Sequence, residues 1–365
     1  MIEFDHVTKA YGARTVVDDV SAKVPEGAVC MLIGPSGSGK TTLLRTVNRL
    51  VEPTSGRVLI GGQDVSRCDP EDLRRGLGYA IQSVGLFPHL TVRENIGTVP
   101  RLLHWDRRRI QRRGDELMRL VGLDPATYGD RHPRQLSGGE AQRVGVARAL
   151  AADPPVLLMD EPFGAVDPLT RERLQEEFAR IQRELRKTVL FVTHDIDEAI
   201  RLADYITIMR GGRLLQQDTP EAILERPADK FVHDFIGADR ALKRLVRIRV
   251  GDVMRRDPPS VREGTPVDAA RRAGGASRFV YTVDAGGGLT GWLDKRMLRD
   301  GDIEAVVTQV DAGTVAVTPD VSLKDALSRM LGLGFRSMPV VDEADRLVGE
   351  VGFESIESAL SEDPS

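Results

Sequence analysis

The sequence predicts an α/β domain followed by a smaller α+β domain built from an internal repeat. Up to about residue 236, strand-length apolar runs alternate with helical patterns, which is typical of a largely parallel sheet flanked by helices. The segment 251–360 contains two similar halves. The chain has 365 residues, more than one typical domain holds.

Composition narrows the class of protein. The net charge of −4 argues against a dedicated nucleic-acid binder, which is usually basic. Cys30 and Cys68 are the only cysteines, and Cys30 lies in an apolar run, so we expect reduced thiols in a reducing compartment. The N-terminus does not look like a signal peptide, and the longest apolar runs have the length of strands. We therefore expect a cytoplasmic chain whose membrane role, if it has one, depends on a partner.

The first strand and helix of the α/β domain enclose a glycine-rich loop, GPSGSGKT at 34–41. It fits the pattern G-x-x-x-x-G-K-[ST], follows an apolar strand and opens a helix, which is the context that this motif requires. Backbone N–H groups are expected to wrap the β-phosphate, Lys40 to bridge the β- and γ-phosphates, and Thr41 to hold Mg²⁺. The sequence thus predicts a site for a nucleoside triphosphate formed by Gly34, Pro35, Ser36, Gly37, Ser38, Gly39, Lys40, Thr41 and Thr42.

Two further strands end in polar residues. The run VLLMDEP at 156–162 places Asp160 at the edge of the sheet, where it can hold magnesium, and Glu161 one residue on, where it can polarise a water as general base. His194 also follows an apolar strand. The residues alone leave His194 open between a structural and a catalytic role.

A second serine–glycine pattern, LSGGEAQRVGVARAL at 136–150, runs into an amphipathic helix. It is either an ordinary helix cap or a second phosphate site at a helix N-terminus. The stretch of about 85–145 around it is mostly helical and predicts a helical subdomain inserted into the α/β core. The charge-rich segment 237–250 is expected to connect the two domains.

The repeat defines two units, 251–305 and 306–360. SVREGTPVDAA at 260–270 aligns with AVTPDVSLKDA at 316–326, and FVYTVDAGGGLTGWL at 279–293 aligns with MPVVDEADRLVGEV at 338–351. Each unit is predicted to contain a short strand, a helix, two strands joined by a turn, and a second helix. We expect the two units to pair, because neither buries its sheet alone.

Together these motifs resemble the ATP-binding subunits of ABC transporters over residues 1–236, in the order found in that family. The resemblance implies an ABC ATPase core with ATP and Mg²⁺ as ligands. Tyr11 would stack on the adenine and Gln82 would touch magnesium and signal to the membrane subunit. Asp167 would lie at a dimer seam, and His194 would be the switch histidine.

The same resemblance resolves the role of the second serine–glycine pattern. The family signature would be Ser137, Gly138, Gly139 and Glu140. These residues would contact the γ-phosphate held by the glycine-rich loop of the other subunit. Two chains would then form a homodimer around two ATP molecules. Glu140 departs from the family, in which glutamine is commoner at this position.

The repeats resemble a tandem pair of CBS (cystathionine beta-synthase) domains. Among ABC ATPases, such a tail is similar to that of importers for glycine betaine, proline, carnitine or choline. This implies ATP-driven uptake of a quaternary amine or compatible solute through separate permease subunits, indirectly served by an extracytoplasmic solute-binding protein. The chain would lie peripherally on the cytoplasmic side of the inner membrane, with a regulatory tail. The alternative is an importer ATPase for another amine or amino acid, with a purely structural tail.

Two features of the tail bear on regulation. Segment 241–280 has ten basic and four acidic residues, whereas 300–365 has four basic and fourteen acidic residues. The basic segment suggests an anionic membrane surface as a further contact. CBS pairs often bind adenine nucleotides through a hydroxyl residue and an aspartate, but here those positions hold Asp294 and Met297 in the first repeat, and Gly352 and Ser355 in the second. Classical AMP binding is therefore not expected.

Overall fold

The structure is a computed structural model that describes residues 1–81, 85–164, 166–273, 279–295, 308–309 and 311–361. The chain divides into two compact units, Met1–Ala238 and Asp239–Ser365. The predicted Gln82 and Met297 lie outside the described residues.

The strands of the first unit are β1 Ile2–Tyr11, β2 Arg14–Val24, β3 Val29–Ile33, β4 Ser55–Ile60, β5 Gln63–Asp64, β6 Leu77–Ala80, β7 Val156–Asp160, β8 Thr188–Val192, β9 Tyr205–Arg210 and β10 Arg213–Asp218. Its helices are α1 Lys40–Val47, α2 Pro70–Arg75, α3 Val92–Ile96, α4 Thr98–Leu102, α5 Arg107–Leu120, α6 Pro125–Tyr128, α7 Gly138–Leu150, α8 Pro168–Leu185, α9 Ile196–Leu202, α10 Pro220–Glu225 and α11 Lys230–Ile236.

The central sheet has the order β10-β9-β3-β8-β7-β6 and is parallel except for β10 at one edge. Every residue of β3, β7 and β8 is buried, as expected for parallel strands that are covered on both faces. The α/β architecture predicted from the alternating pattern is confirmed. Because parallel strands share a direction, the carboxyl ends of these three strands meet at one edge of the sheet.

A second sheet of the first unit was not predicted. It is antiparallel, with the order β2-β1-β4-β5. Its apolar side chains, among them Ile2, Phe4, Val17 and Val58, join a core with β3 and α1. This sheet places the β1–β2 hairpin beside the glycine-rich loop.

The described chain between β6 and β7 contains the helices α3 to α7, joined by loops, and no strand. Its apolar residues, such as Ile96, Leu117 and Val144, pack into the same core as β7 and β8. The helical segment is therefore held firmly on the sheet from which it emerges.

In the second unit the strands are β11 Ser260–Arg262, β12 Phe279–Val283, β13 Leu289–Asp294, β14 Thr308–Gln309, β15 Ser337–Val341 and β16 Leu347–Gly352, and the helices are α12 Arg240–Arg244, α13 Val250–Val253, α14 Val267–Arg272, α15 Ala312–Val315, α16 Leu323–Leu333 and α17 Phe353–Ser361. The described strands form a sheet β11-β12-β13-β14 and a pair β15-β16.

The segment 237–250 differs from the connector that was expected. The second unit begins at Asp239, and Leu245 and Val250 are fully buried in a core with Leu323 and Val340. Backbone hydrogen bonds from Val250 N–H to Val321 O (2.9 Å) and from Leu323 N–H to Ile248 O (2.9 Å) tie this segment to the second repeat. The segment was expected to be a connector because it is rich in charged residues, but its apolar residues Leu245 and Val250 belong to the core.

Among the described helices, none combines the length and the apolar character that crossing a bilayer requires.

Candidate nucleotide-binding site

The glycine-rich loop connects β3 to α1, and its shape depends on two glycines. Gly34 has φ +145°, and a Cβ there would stand 2.1 Å from Met209 O. Gly39 has φ +97°, and a Cβ there would stand 2.5 Å from Val16 O. Side chains are therefore excluded at both positions by backbone conformation and by neighbouring carbonyls. The loop can stay tight only with glycine at these positions.

Lys40 lies at the start of α1 and is buried. Its Nζ donates to Gly34 O at 2.8 Å and to Pro35 O at 3.0 Å. Burial lowers the pKa of Lys40, while the carboxylates of Glu161 and Asp160 act in the opposite direction. The ammonium group is thus held inside the loop by carbonyls that an anionic ligand can replace.

Ser38 supplies a second sign of a ligand in this loop. Its hydroxyl oxygen is buried and has no hydrogen-bond partner among the described residues. A buried polar atom without a partner is costly, and a phosphate oxygen would satisfy it. The loop therefore fits a phosphate group.

The metal-binding prediction rests on Thr41 and Asp160. Asp160 is the last residue of the buried strand β7, and Thr41 Oγ1 donates to its Oδ1 at 2.9 Å. A hydroxyl and a carboxylate in contact form the oxygen donor set that Mg²⁺ prefers. Arg45 also reaches Asp160, with 3.4 Å between Nη2 and Oδ2.

Glu161 and His194 meet beyond the ends of β7 and β8. Glu161 has φ +47°, and its N–H donates to Val192 O at 2.9 Å, so the backbone turns sharply at this residue. Its Oε2 lies 3.3 Å from Nδ1 of His194. The His194 side chain is 63% exposed, so the carboxylate and the imidazole stand at the open side of the site.

A cleft of ≈ 550 Å³ collects most of the predicted residues. Its walls are Tyr11, Arg14, Val16, Ser36, Gly37, Ser38, Gly39, Lys40, Thr41, Thr42, Glu161 and His194. Gly34, Pro35 and Asp160 do not line the cleft. They contact residues that do: the carbonyls of Gly34 and Pro35 accept from Lys40, and Asp160 accepts from Thr41. Arg14 and Val16 were not predicted; they enter through the β1–β2 hairpin, whose only sequence signal was the turn Tyr11–Arg14.

The signature residues form the start of α7. Ser137 is its N-cap and accepts from Glu140 N–H at 3.3 Å, while Glu140 Oε2 accepts from Ser137 N–H at 2.7 Å. Tyr128 O–H donates to the other oxygen of Glu140 at 2.7 Å. These hydrogen bonds lower the pKa of Glu140. The carboxylate at the unusual position therefore accepts on both oxygens and fixes the helix start.

Within one chain the signature and the glycine-rich loop face different spaces. Ser137, Gly139 and Glu140 line a second cleft of ≈ 610 Å³ together with residues of α8 such as Thr170 and Arg173. The two clefts have no lining residue in common. Gly138 also leaves its surroundings open: no atom lies within 4 Å of an added Cβ among the described residues. Asp167 is exposed at the N-cap of α8 and accepts from Thr170 N–H at 3.0 Å.

A loop next to the undescribed Gln82 is organised by a residue that sequence reasoning missed. Asn95 is fully buried in α3, and its amide donates to Phe87 O, Leu90 O and Thr91 O at 2.9–3.1 Å. It also accepts from Phe87 N–H at 2.8 Å. Phe87 itself is 41% exposed. The loop thus presents an aromatic ring on a fixed backbone.

Sequence profiles place these features in known families. The ABC transporter family matches residues 17–164 and the CBS domain family matches residues 305–362. The carnitine transport ATP-binding protein OpuCA of Listeria monocytogenes is 45% identical over 96% of this chain and 90% of its own length. The osmoprotectant import ATP-binding protein OsmV of Salmonella typhimurium is 44% identical over 99% of this chain and 96% of its own.

A solved structure agrees with the fold. The dimeric structure of MJ0796, a bacterial ABC transporter cassette, superimposes with a TM-score of 0.55 and 33% identity, covering 60% of this chain and 99% of that one.

Fold and site together define an ATP-hydrolysing cassette. The full-length similarity makes the assignment more specific: the chain belongs to the ATP-binding subunits of ABC transporters, and it carries a CBS domain in its second unit.

Proposed function

We propose that this chain hydrolyses ATP to drive the uptake of a quaternary amine or related compatible solute, such as glycine betaine, carnitine, choline or proline, through a separate membrane permease. The observation that carries the proposal is similarity through both units to ATP-binding proteins that are named for carnitine transport and osmoprotectant import. An extracytoplasmic solute-binding protein would deliver the solute to the permease. The first repeat, as a further CBS domain, remains our prediction.

At the ATP site, each residue has a defined task. Tyr11 stacks on the adenine, and the loop of Gly37 to Lys40 holds the phosphates with backbone N–H groups. Lys40 exchanges its two carbonyl partners for phosphate oxygens. Arg14 adds a second cation to the wall of the cleft.

Magnesium fits the donor set at the end of β7. Thr41 and Asp160 would hold it, together with Gln82, which lies outside the described residues. The ion would supply charge neutralisation on the phosphates.

Glu161 and His194 are proposed to act on the attacking water and the γ-phosphate. Glu161 accepts the water's proton as general base, because its carboxylate lines the cleft beside the phosphate loop. His194 lies within 3.3 Å of that carboxylate and orients it. It also donates to the γ-phosphate as a switch residue.

The separation of the two clefts supports a homodimer. Ser137, Gly138, Gly139 and Glu140 of one chain would close on the phosphate loop of the other, and Asp167 would lie at the seam. The N-terminus of α7 carries a partial positive charge, which suits a phosphate. Each ATP would then be held by both chains.

The loop at Phe87, Pro88 and His89 is the proposed contact with the permease. It lies between the position of Gln82 and the helical segment, so loss of the γ-phosphate can be passed on as a movement of the loop. Asn95 keeps the loop rigid enough to transmit it. The chain would sit peripherally on the cytoplasmic side of the inner membrane.

The tail is proposed to regulate transport through its charge, by contact with an anionic membrane surface. The cations of the tail differ in their contacts within the unit. Arg249 donates to Asp320 O at 2.9 Å and Arg255 pairs with Glu350, so these two cations have partners inside the unit. Arg262 and Arg272 are exposed, and Arg256 is exposed with only a long hydrogen bond of 3.4 Å to Gly251 O, so these three are better candidates for the membrane contact.

Uptake by cells provides the test of the proposed substrate class. The chain would be expressed with its permease and solute-binding protein in a host that lacks osmolyte importers. Labelled glycine betaine, carnitine, choline and proline would be compared with histidine and sulfate. Uptake of at least one quaternary amine, lost in the Glu161→Gln variant, is expected. Uptake confined to another amine or amino acid would favour the alternative importer.

A further inference from the structure

A cavity of ≈ 360 Å³ in the second unit has no place in the ATPase cycle. It is lined by Phe279, Tyr281, Trp292, Gly334, Phe335, Arg336, Ser337 and Pro339. Four of these side chains are aromatic and one is a cation. The volume is at the lower end of small-molecule sites, so it suits a small ligand.

The aromatic side chains form adjoining walls. Phe279 and Tyr281 alternate along β12 and therefore lie on the same face, and Trp292 of β13 is the register partner of Tyr281. Phe335 precedes β15 and packs against Trp292 with ring centroids 5.4 Å apart and an interplanar angle of 85°. At this distance and angle the two rings pack edge to face, and both belong to the lining of the cavity.

Two charged side chains lie at the cavity: the carboxylate of Glu350, which has hydrogen-bond partners, and the exposed guanidinium of Arg336. Glu350 lies behind the wall: its Oε1 accepts from Tyr281 O–H at 3.0 Å and from Ser337 O–H at 2.8 Å, and the carboxylate is paired with Arg255. Arg336 is exposed and has no ion-pair partner among the described residues. The cavity therefore offers rings for a cation and one guanidinium for an anion.

We propose that this cavity binds a small zwitterion with a quaternary ammonium group and a carboxylate, the chemistry of the solutes assigned to this transporter under Proposed function, on which the inference rests. The methylated ammonium lies against Trp292 and Phe335, since aromatic faces attract such cations. The carboxylate pairs with Arg336, whose planar guanidinium matches it. A solute that accumulates inside the cell would thus bind the regulatory tail of its own importer.

An adenine nucleotide is the competing ligand for an aromatic cavity with an arginine. The lining residues offer a single cation, whereas a nucleotide carries two or more negative charges. Gly352 and Ser355 also replace the residues that would hold its ribose in the second repeat. The zwitterion, with one negative charge and one positive charge, matches the single guanidinium and the aromatic rings of the lining.

The test uses the tryptophan in the cavity wall as the reporter. The chain contains two tryptophans, Trp105 and Trp292, so a full-length Trp105→Phe protein reports only on the cavity. Glycine betaine, choline, glycine, sucrose and AMP would be titrated while Trp292 fluorescence is recorded. We expect a saturable change with glycine betaine, weaker binding of choline, and no saturation with glycine or sucrose. Saturation with AMP but not with glycine betaine would overturn the inference.

Two variants, each with a matched control, test the carboxylate contact and the ammonium contact separately. Arg336→Gln should weaken glycine betaine binding by about tenfold and leave choline unchanged, because only the carboxylate contact is lost. Phe335→Leu should weaken both ligands by roughly tenfold. Arg346→Gln and Phe353→Leu change the same residue types in the same unit outside the cavity walls and should have no effect. If the controls weaken binding as much as the variants do, the cavity is not the site.

The titration needs neither permease nor transport. Uptake of quaternary amines without saturable binding at Trp292 would refute the inference and leave the proposed function standing. Saturable binding at Trp292 without uptake of quaternary amines would support the inference and refute the proposed function.

Discussion

Nδ1 of His194 lies 3.3 Å from Oε2 of Glu161, across the ends of two neighbouring parallel strands. The contact joins the residue that we assign as general base to the one that we assign as the γ-phosphate switch. It depends on the left-handed turn at Glu161, which directs the carboxylate toward β8. The backbone turn at Glu161 therefore sets the contact between the proposed base and the proposed switch residue.

Replacement of Glu161 by Gln should separate ATP binding from turnover. The amide keeps the size of the side chain but cannot accept the proton of the attacking water, so kcat should fall by about 10²–10⁴-fold with ATP affinity retained. Steady-state ATPase assays and nucleotide binding would measure this, and the closed dimer should accumulate. Glu172→Gln, an exposed carboxylate on α8, is the control and should retain activity. A Glu161→Gln protein with near-normal turnover would remove Glu161 from the role of base.

Replacement of Lys40 by Ala should weaken ATP binding rather than trap the dimer. The ammonium makes charge-assisted contacts to phosphate, so its loss should raise the Kd for ATP by about ten- to hundredfold. Equilibrium binding of a fluorescent ATP analogue is the measurement. An unchanged Kd would show that the two carbonyl contacts of Lys40 are not exchanged for phosphate.

The signature should act on the ATP of the other chain. A Ser137→Arg chain and a Lys40→Ala chain each form homodimers without an intact site, but their heterodimer has one intact site and one doubly altered site. Mixing them should restore some ATPase activity. Absence of recovery, once heterodimers have been shown by tagged pull-down, would count against action in trans or show that both sites must work together.

The loop at Phe87, Pro88 and His89 should lie against the permease. In an otherwise cysteine-free background, His89→Cys should cross-link to cysteines placed in the cytoplasmic loops of the permease. Glu184→Cys on α8, which is also exposed, provides the control position. Asn95→Ala should reduce the cross-linking and the coupling of ATPase activity to transport, because the loop loses its hydrogen bonds. A survey of several permease loops without any product would exclude this surface.

Stability should depend on pH through Glu198, which is buried and accepts from Gln175 Nε2 at 2.9 Å. Burial raises the pKa of Glu198 above its ordinary value of 4.5. The folded protein then binds the proton more tightly than the unfolded one, so the stability contributed by protonation is lost as pH rises from about 4.5 through the folded pKa. Glu198→Gln should therefore gain thermal stability relative to wild type as pH is raised through that range. A stability difference between Glu198→Gln and wild type that stays constant over this pH range would refute the assignment.

The regulatory role of the tail charge can be tested with exposed cations alone. Salt screens the attraction between the tail and the membrane, so transport in vesicles that contain anionic lipid should rise with internal salt concentration. Replacing Arg256, Arg262 and Arg272 by Gln should reduce that rise, since each charge near the surface contributes about 1 kcal/mol. Replacing Arg107, Arg108 and Arg112 of α5, which are also exposed, is the control. If salt activation of the triple tail variant matched that of wild type, the tail would not act by this electrostatic contact.

Features formed by residues that are close together in the sequence could be predicted from the sequence. The phosphate loop, the apolar strand before it and the helix after it lie within 20 consecutive residues, and the pattern of residue types there reflects direct steric and charge requirements. The parallel sheet followed from buried strands that alternate with helices.

Features that depend on contacts between residues far apart in the sequence could not be predicted from the sequence. The antiparallel sheet pairs β1 with β4, and nothing in the charged, alternating pattern of either strand identifies the other. Arg14 was missed for the same reason, since only this sheet brings the hairpin to the cleft. Leu245 and Val250 were hidden among arginines and lysines, whose long side chains can flank an apolar stripe without interrupting it.

The pairing of Arg255 with Glu350 has a further consequence. The backbone groups of the two residues exchange N–H···O hydrogen bonds of 2.9 Å in both directions, although one lies near the start of the first repeat and the other near the end of the second. The repeat visible in the sequence is therefore not the unit that folds. Cutting the chain between the repeats would expose the core around Leu245 and leave β16 without its edge partner. In recombination or engineering, the tail can be exchanged between transporters only as one indivisible cassette that begins at Asp239.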